Sequence, residues 1–342
     1  MRPVTPPFLL ALSFTVAACR HETPFAYVGP DSLGPISSAV PRRLTFSAGD
    51  DRNPSVSGAT LVFSRLDGSR GRERCLAFLP PQGGTLRRVV CPPTSPADTF
   101  VDTWVEPTLS PDGRQLAFVW QKGAPASYYT WTRDLVVAPA DDPGRPSFAG
   151  QAWYVLPDGR IATAVTKPMW LGPGRLCFLA AYERVFKVKG GGAGRLTDTV
   201  LDVFSLVHLD LGTGTVGVVP GADSSIAYAP APGGGLWLVK SSDSTRLLLL
   251  APGADTAVVA GTFSGPVVDL ANVDGVAVAL HAGGDVIEWV DLTTGDTGFV
   301  GSVTPIRRVT PVPGTRFFVV EVERSSDPLS DEGANLWLFG VP

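Results

Sequence analysis

The sequence predicts an all-β fold, and three observations carry that prediction. Gly and Pro together number 70, from 38 and 32, about one residue in five of the 342. The chain is 44% hydrophobic but only 18% charged. Apolar runs of six to eight residues, rich in Val, Leu and Phe, alternate with Pro/Gly/Asp turns in recurring copies. Together these specify a β-propeller, most simply six blades of four antiparallel strands, with near-continuous apolar runs where central strands are covered on both faces. Helical bundles would need long Ala/Glu/Lys/Leu tracts, and a disordered chain would be less apolar. With 28 basic against 32 acidic residues and a net charge of −4, the chain lacks the footprint of a nucleic-acid binder.

Residues 1–18 read as an export signal, with Arg2 as the positive region and an apolar stretch from Phe8 to Ala18 too short to span a bilayer. Val16-Ala17-Ala18-Cys19 resembles the bacterial lipobox, which implies cleavage before Cys19 and acylation of that residue. Arg20 follows it, and in a Gram-negative host that resemblance implies outer-membrane sorting, with the folded domain in the periplasm or at the cell surface. Residues 19–39 carry Pro and Gly without periodicity and read as a tether, leaving 40–342 as one propeller domain. Membrane attachment is thus expected through lipid alone.

The six copies begin at NPSVSG (53–58), EPTLSPDG (106–113), KPMWLGPG (167–174), IAYAPAPGGG (226–235), VVDLANVDG (267–275) and RRVTPVPG (307–314). Each leads into a second apolar run, with the turn Gly at 58, 113, 174, 234, 275 and 314. The sixth copy ends one run short, and 41–46 (PRRLTF) supplies a candidate for the missing strand, which would close the ring. Cys75 and Cys91 are symmetric about Gly83, so a hairpin there sets them opposite each other, within disulfide reach. Cys177, in RLCFLAAY, is expected to be an inert core thiol.

The segment Glu106-Pro107-Thr108-Leu109-Ser110-Pro111-Asp112-Gly113-Arg114-Gln115-Leu116-Ala117-Phe118 resembles the TolB-type propeller repeat, a WD40-like blade. Leu44-Thr45-Phe46 with Asp50 to Gly58 resembles the same repeat with its inter-blade loop. The α/β domain that precedes the propeller in TolB is not matched, so the resemblance implies a recognition or assembly platform and does not carry over TolB's partners.

Chemistry-bearing clusters are sparse. His21, His208 and His281 lack companions at metal-ligand spacing, and no metal or cofactor is expected. Gly261-Thr262-Phe263-Ser264-Gly265 has the wrong spacing for a nucleophile elbow, and Gly190 to Gly194 lacks the Lys-Ser/Thr of a phosphate loop. Insertions at 67–74, 122–134, 183–199 and 324–334 fall between second and third strands and should line one arc of one face. Arg72, Arg74, Tyr128, Tyr129, Trp131, Arg133, Arg184, Lys187, Lys189 and Arg195 make most of that arc basic and aromatic, a candidate binding surface. Asp50, Asp51, Asp102 and Glu106 are candidates for a channel-mouth site. The expected function is a non-catalytic, lipid-anchored binding or scaffolding module of the bacterial envelope, with a protein, peptide or glycan partner. The alternatives are a hydrolase or sugar-acting enzyme using the channel mouth, or a subunit of an outer-membrane assembly complex.

Overall fold

A computed structural model describes residues 40–46, 49–66, 73–93, 101–123, 132–149, 154–155, 161–162, 164–187, 196–302, 304–325 and 333–342. Among them every regular element is a strand except a 3₁₀ turn at Pro232–Gly234, and no described helix is long and apolar enough to cross a membrane.

The strands form antiparallel meanders in chain order. Asp50–Ser57, Thr60–Leu66, Arg74–Leu79 and Arg88–Val90 make the first sheet. Val101–Leu109, Gln115–Gly123, Thr132–Pro139 and Phe148–Ala149 make the second meander. Ala164–Gly172, Arg175–Lys187, Leu196–Asp210 and Thr215–Asp223 make the third, and a single parallel pair, Ala164 with Arg133, joins it to the second. Ser225–Pro230, Leu236–Lys240, Asp243–Leu250 and Val258–Thr262 form the next sheet, followed by Val267–Val273, Val276–His281, Val286–Asp291 and Thr297–Gly301. The last comprises Ile306–Pro311, Phe317–Glu323 and Ala334–Gly340, and Arg42–Arg43 pairs along its free side, Arg42 opposite Leu338 and Arg43 opposite Trp337.

The fourth strand of the second meander is Phe148–Ala149, and Tyr154–Val155 pairs with Ile161–Ala162 in a separate ribbon. One detail differs from the sequence expectation. The second and third strands run into the 183–199 insertion: the ladder continues from Glu183 opposite Leu201 to Lys187 opposite Leu196. Paired backbone there satisfies N–H and C=O groups that a free loop would leave to water.

The turn chemistry is local and explicit. In Ser110-Pro111-Asp112-Gly113, the Ser110 hydroxyl donates to Asp112 Oδ1 at 2.6 Å and accepts the Gln115 N–H at 2.9 Å. The Gly113 N–H returns to the Ser110 carbonyl at 2.8 Å, and its φ of +70° is a conformation that side chains disfavour.

Packing between sheets supplies the core. Val62, Leu76 and Phe78 of the first sheet meet Trp104, Leu116 and Phe118 of the second meander, and equivalent clusters join each meander to the next. The last such cluster sets Val319, Leu336 and Leu338 of the final sheet against Val56, Leu61 and Phe63 of the first. Phe63, Phe118, Phe178 and Phe318 lie in second strands with no exposed surface, so truncating any one to Ala should cost about 3–5 kcal/mol. Cys75 and Cys91 form a disulfide with their Cα atoms 4.2 Å apart, next to the Leu76–Val90 pair of the ladder.

Candidate functional site

The first strand of each meander breaks register in its first half, and that of the third does so again between Trp170 and Gly172. The shifts fall between Arg52 and Ser55, Val105 and Thr108, Thr166 and Met169, Ser225 and Ala227, Val267 and Asp269, and Ile306 and Arg308. A bulge of this kind re-aims a side chain out of the ladder. At three of them the bulged residue precedes a proline and is left-handed: Asn53, Glu106 and Lys167, with φ of 53°, 52° and 52°. Proline disfavours helical backbone before it, and a left-handed non-glycine residue is strained, so these positions are held by their surroundings.

Their surroundings are each other. Glu321 Oε2 accepts the Asn53 N–H at 2.8 Å, Asn53 Oδ1 accepts the Glu106 N–H at 3.4 Å, and Glu106 Oε2 accepts the Lys167 N–H. The Lys167 ammonium crosses to Asp269 Oδ1 at 2.8 Å, and Asp269 Oδ2 accepts the Val309 N–H at 2.9 Å. The Thr310 hydroxyl then donates to the Pro54 carbonyl at 2.8 Å. Carboxylates and amides thus link five of the six first strands, and the sixth enters through the Ile226 carbonyl, 3.4 Å from Lys167 Nζ.

These side chains meet a cavity of about 300 Å³ lined by residues of all six first strands, with Lys167, Asp269 and Arg308 as its charged groups. Leu109, Met169, Trp170, Leu270 and a series of prolines form its walls. Exposed turn residues Gly58, Pro111 and Pro313 stand at its rim, so it opens at the end of the sheets that carries the first-to-second-strand turns. In an antiparallel meander the second-to-third-strand insertions lie at the opposite end.

The sequence-predicted residues separate accordingly. Glu106 stands with the bulge residues: the Thr166 hydroxyl lies 2.9 Å from Oε2, and Arg133 pairs with Oε1. Burial works to raise its carboxyl, but Arg133, Arg308, the Lys167 N–H and Thr166 outweigh it and hold it below the usual carboxylate range. Asp50 lies at the insertion end, where it pairs with Arg74, accepts Arg52 Nε at 2.8 Å and accepts the Ala334 N–H at 2.7 Å. Burial opposes ionisation there too, and Arg74 and Arg52 overcome it. Asp51 turns away, fully buried, with its carboxylate 3.5 Å from Arg65. Asp102 accepts the Trp120 indole N–H at 2.9 Å.

Arg74 and Arg133, expected on the basic arc, point inward to Asp50 and Glu106 instead, because a buried carboxylate needs a counter-charge. Arg184 and Lys187 lie in the extended hairpin, in a part whose side chains are outside the described set. Cys19, Arg72, Tyr128, Tyr129, Trp131, Lys189 and Arg195 lie outside the described residues. His281 Nε2 sits 2.9 Å from Glu288, which also accepts the Ser264 N–H and hydroxyl at 2.8 Å. Among the described residues no group of three or more His, Cys, Asp or Glu could hold a metal.

Sequence reasoning missed Asn53, Lys167, Asp269 and Arg308. The signal was present: a polar residue before proline opens copies one to three, Asp269 interrupts the run VVDL, and Arg308 is the second of two arginines in the strand IRRVTP.

No family model and no curated protein sequence matches the chain. Solved structures do. A gluconolactonase from Xanthomonas campestris superposes with a TM-score of 0.54 at 11% identity, covering 88% of this chain and 89% of its own. The β-propeller domain of Cps50 (Swd1) from Myceliophthora thermophila gives 0.53 at 8% identity over 89% of this chain and all of its own. The WD40 repeats of RRP9 give 0.52 at 11% identity over 90% and 98%. The fold is that of a β-propeller. At these identities the likeness concerns the fold alone, and propellers that are enzymes stand beside propellers that are not.

Proposed function

We propose that the chain is a six-bladed propeller, closed where Arg42–Arg43 completes the last blade, and that it serves as an exported, lipid-anchored binding module whose ligand enters the axial cavity. Six inter-sheet clusters, the last of them joining final and first sheets, support the count and the closure. The observation that carries the binding role is the state of the axial carboxylates. Asp50, Glu106, Asp269 and Glu321 are each paired with a cation and with a backbone N–H, which makes them structural anions rather than free acids or bases. A cavity with apolar walls and a few fixed polar groups is the usual form of a small-ligand site.

Ser55 lines the cavity, is half-buried, and tolerates a plug better than a core position. A fragment library screened by ligand-observed NMR should give hits on the full chain that Ser55→Trp removes without lowering the melting temperature. Hits that persist in Ser55→Trp would refute the axial site. Turnover of gluconolactone or an aldose by the purified protein would favour an enzyme instead. Cys19→Ser should move the protein from the membrane to the soluble fraction, and continued membrane recovery would refute the lipid anchor.

A further inference from the structure

Three cations approach the cavity floor, and two are fully engaged. Lys167 Nζ spends its three N–H bonds on Asp269 Oδ1 at 2.8 Å, the Val268 carbonyl at 2.8 Å and the Ile226 carbonyl at 3.4 Å. Arg133 is taken up by Glu106 and, through Nε, by the Val165 carbonyl at 3.1 Å. Arg308 differs. It lines the cavity, is half-buried, and its side chain makes no hydrogen bond or ion pair with a described residue. Its five donors sit in a planar fork, and unmet donors in a confined site are costly unless a guest or water meets them.

The charge count around it is uneven. Among the described residues, Arg133, Lys167 and Arg308 at the floor stand against Glu106 and Asp269, and Arg308 also feels Glu321 from the layer beyond. In the layer toward the insertion end, Arg52, Arg74 and Arg307 are matched by Asp50, Glu321 and Glu323. One positive charge is therefore left over, and it lies on the side chain with free donors. A single negative charge balances it, whereas a phosphate monoester, at about −1.5 to −2, overshoots it beside Glu106 and Asp269. The guanidinium fork also matches a carboxylate in a two-pronged contact. Around this point the walls are apolar, with Leu109, Met169, Trp170 and Leu270 among them.

We infer that the axial cavity binds a monocarboxylate with an apolar body, the carboxylate seated on the Arg308 guanidinium and the body against Trp170, Met169, Leu109 and Leu270. The inference rests on the axial site proposed above and adds its ligand chemistry. The cavity, at about 300 Å³, stands at the small end of ligand sites, so an arylalkanoic acid or the last residue of a peptide is the right size.

Calorimetric titration of the full chain tests it with 3-phenylpropionate, 3-phenylpropanamide, 3-phenylpropanol and phenyl phosphate. The acid should bind at least about tenfold more tightly than the amide, alcohol or phosphate. Arg308→Met should abolish that preference while leaving amide affinity unchanged, and Arg308→Lys should keep part of it, having the charge without the fork. Melting curves of both variants establish that they fold. Glycylphenylalanine with a free or amidated C-terminus separates the sources: tighter binding of the free-ended peptide than of 3-phenylpropionate assigns a polypeptide end, and weaker binding a free acid. Equal affinity for acid and amide, a preference that survives Arg308→Met, tighter phenyl phosphate, or no acid binding at millimolar concentration would each overturn the carboxylate assignment and leave the axial site standing. Acid binding unchanged in Ser55→Trp would overturn the axial site itself.

Discussion

Glu321 in the final sheet holds Arg52 in the first, with Oε1 3.0 Å from Nη1, across a sequence separation of 269 residues. Its second oxygen accepts the neighbouring Asn53 N–H at 2.8 Å, so one buried carboxylate fixes both a side chain and a strained backbone position. Glu321 is 2% exposed.

Removing that carboxylate orphans a partly buried N–H and weakens a cross-sheet ion pair, while Arg52 keeps Asp50 and Glu323 as partners. Glu321→Ala should therefore cost about 2 kcal/mol in urea denaturation. Arg307→Ala, which breaks a half-exposed pair with Glu323, should cost less than about 0.5 kcal/mol. Equal losses in the two variants would contradict this account of the first-to-last contact.

Acid should unfold the domain in part through Glu106 and Asp50. Burial acts to raise both carboxyls, but their cationic partners and hydrogen bonds hold the folded values below the ordinary ones. A depressed folded value gives stability that is complete above the unfolded value, about 4.3 for Glu and 3.9 for Asp, and is lost as pH falls through the folded value. Glu321 works the other way: burial raises its carboxyl despite Arg52, so its contribution grows on acidification. Urea midpoints between pH 3 and 7 should fall below about pH 4.3, and less steeply in Glu106→Gln. An identical slope in wild type and variant would remove Glu106 from the explanation.

The Cys75–Cys91 bridge closes a loop of 16 residues, which corresponds to roughly 3 kcal/mol in the chain-entropy model. Reduction, or Cys75→Ala with Cys91→Ala, should lower stability by about that amount. Cys177 is fully buried and burial pushes its thiol up to about 12, so peptide-resolved labelling at pH 8 should leave it unmodified until the domain unfolds. Rapid native labelling of Cys177 would contradict its full burial.

Two glycines should respond in opposite ways. A Cβ at Gly221 would lie 2.5 Å from the Asp255 carbonyl oxygen in a left-handed position, so Gly221→Ala should cost more than about 2 kcal/mol. Gly113 is left-handed too, but nothing lies within 4 Å of its Cβ position, and Asn accepts that backbone. Gly113→Asn should cost less than about 1 kcal/mol, read from thermal melting.

Strand positions were legible because their causes are local. Val-, Leu- and Phe-rich runs between turn glycines mark the second and third strands, and the Cys75–Cys91 pair follows from symmetry about Gly83. Arg42–Arg43 lies within the segment that the short sixth copy called for, paired beside Ala334–Gly340. The axial site was less legible. Lys167 and Asp269 meet from positions 102 residues apart, and nothing in either segment names the other. Arg133 reads as a surface base in its insertion, yet the Ala164 pairing beside it turns it toward Glu106. What decides such cases is which strands a bulge brings to a common axis, a property of six segments at once. The Asn-Pro, Glu-Pro and Lys-Pro pairs were visible but do not by themselves announce left-handed backbone.

The clustering of Val319, Leu336 and Leu338 with Val56, Leu61 and Phe63 bears on how this molecule can be shortened. In an open stack of repeats, an end unit can be trimmed and only one neighbour loses its cover. Here the outermost units in sequence cover each other, so cutting away either one bares two apolar faces instead of one. A chain built this way resists piecemeal erosion from its ends and can change size only by gaining or losing a unit with both seams rebuilt.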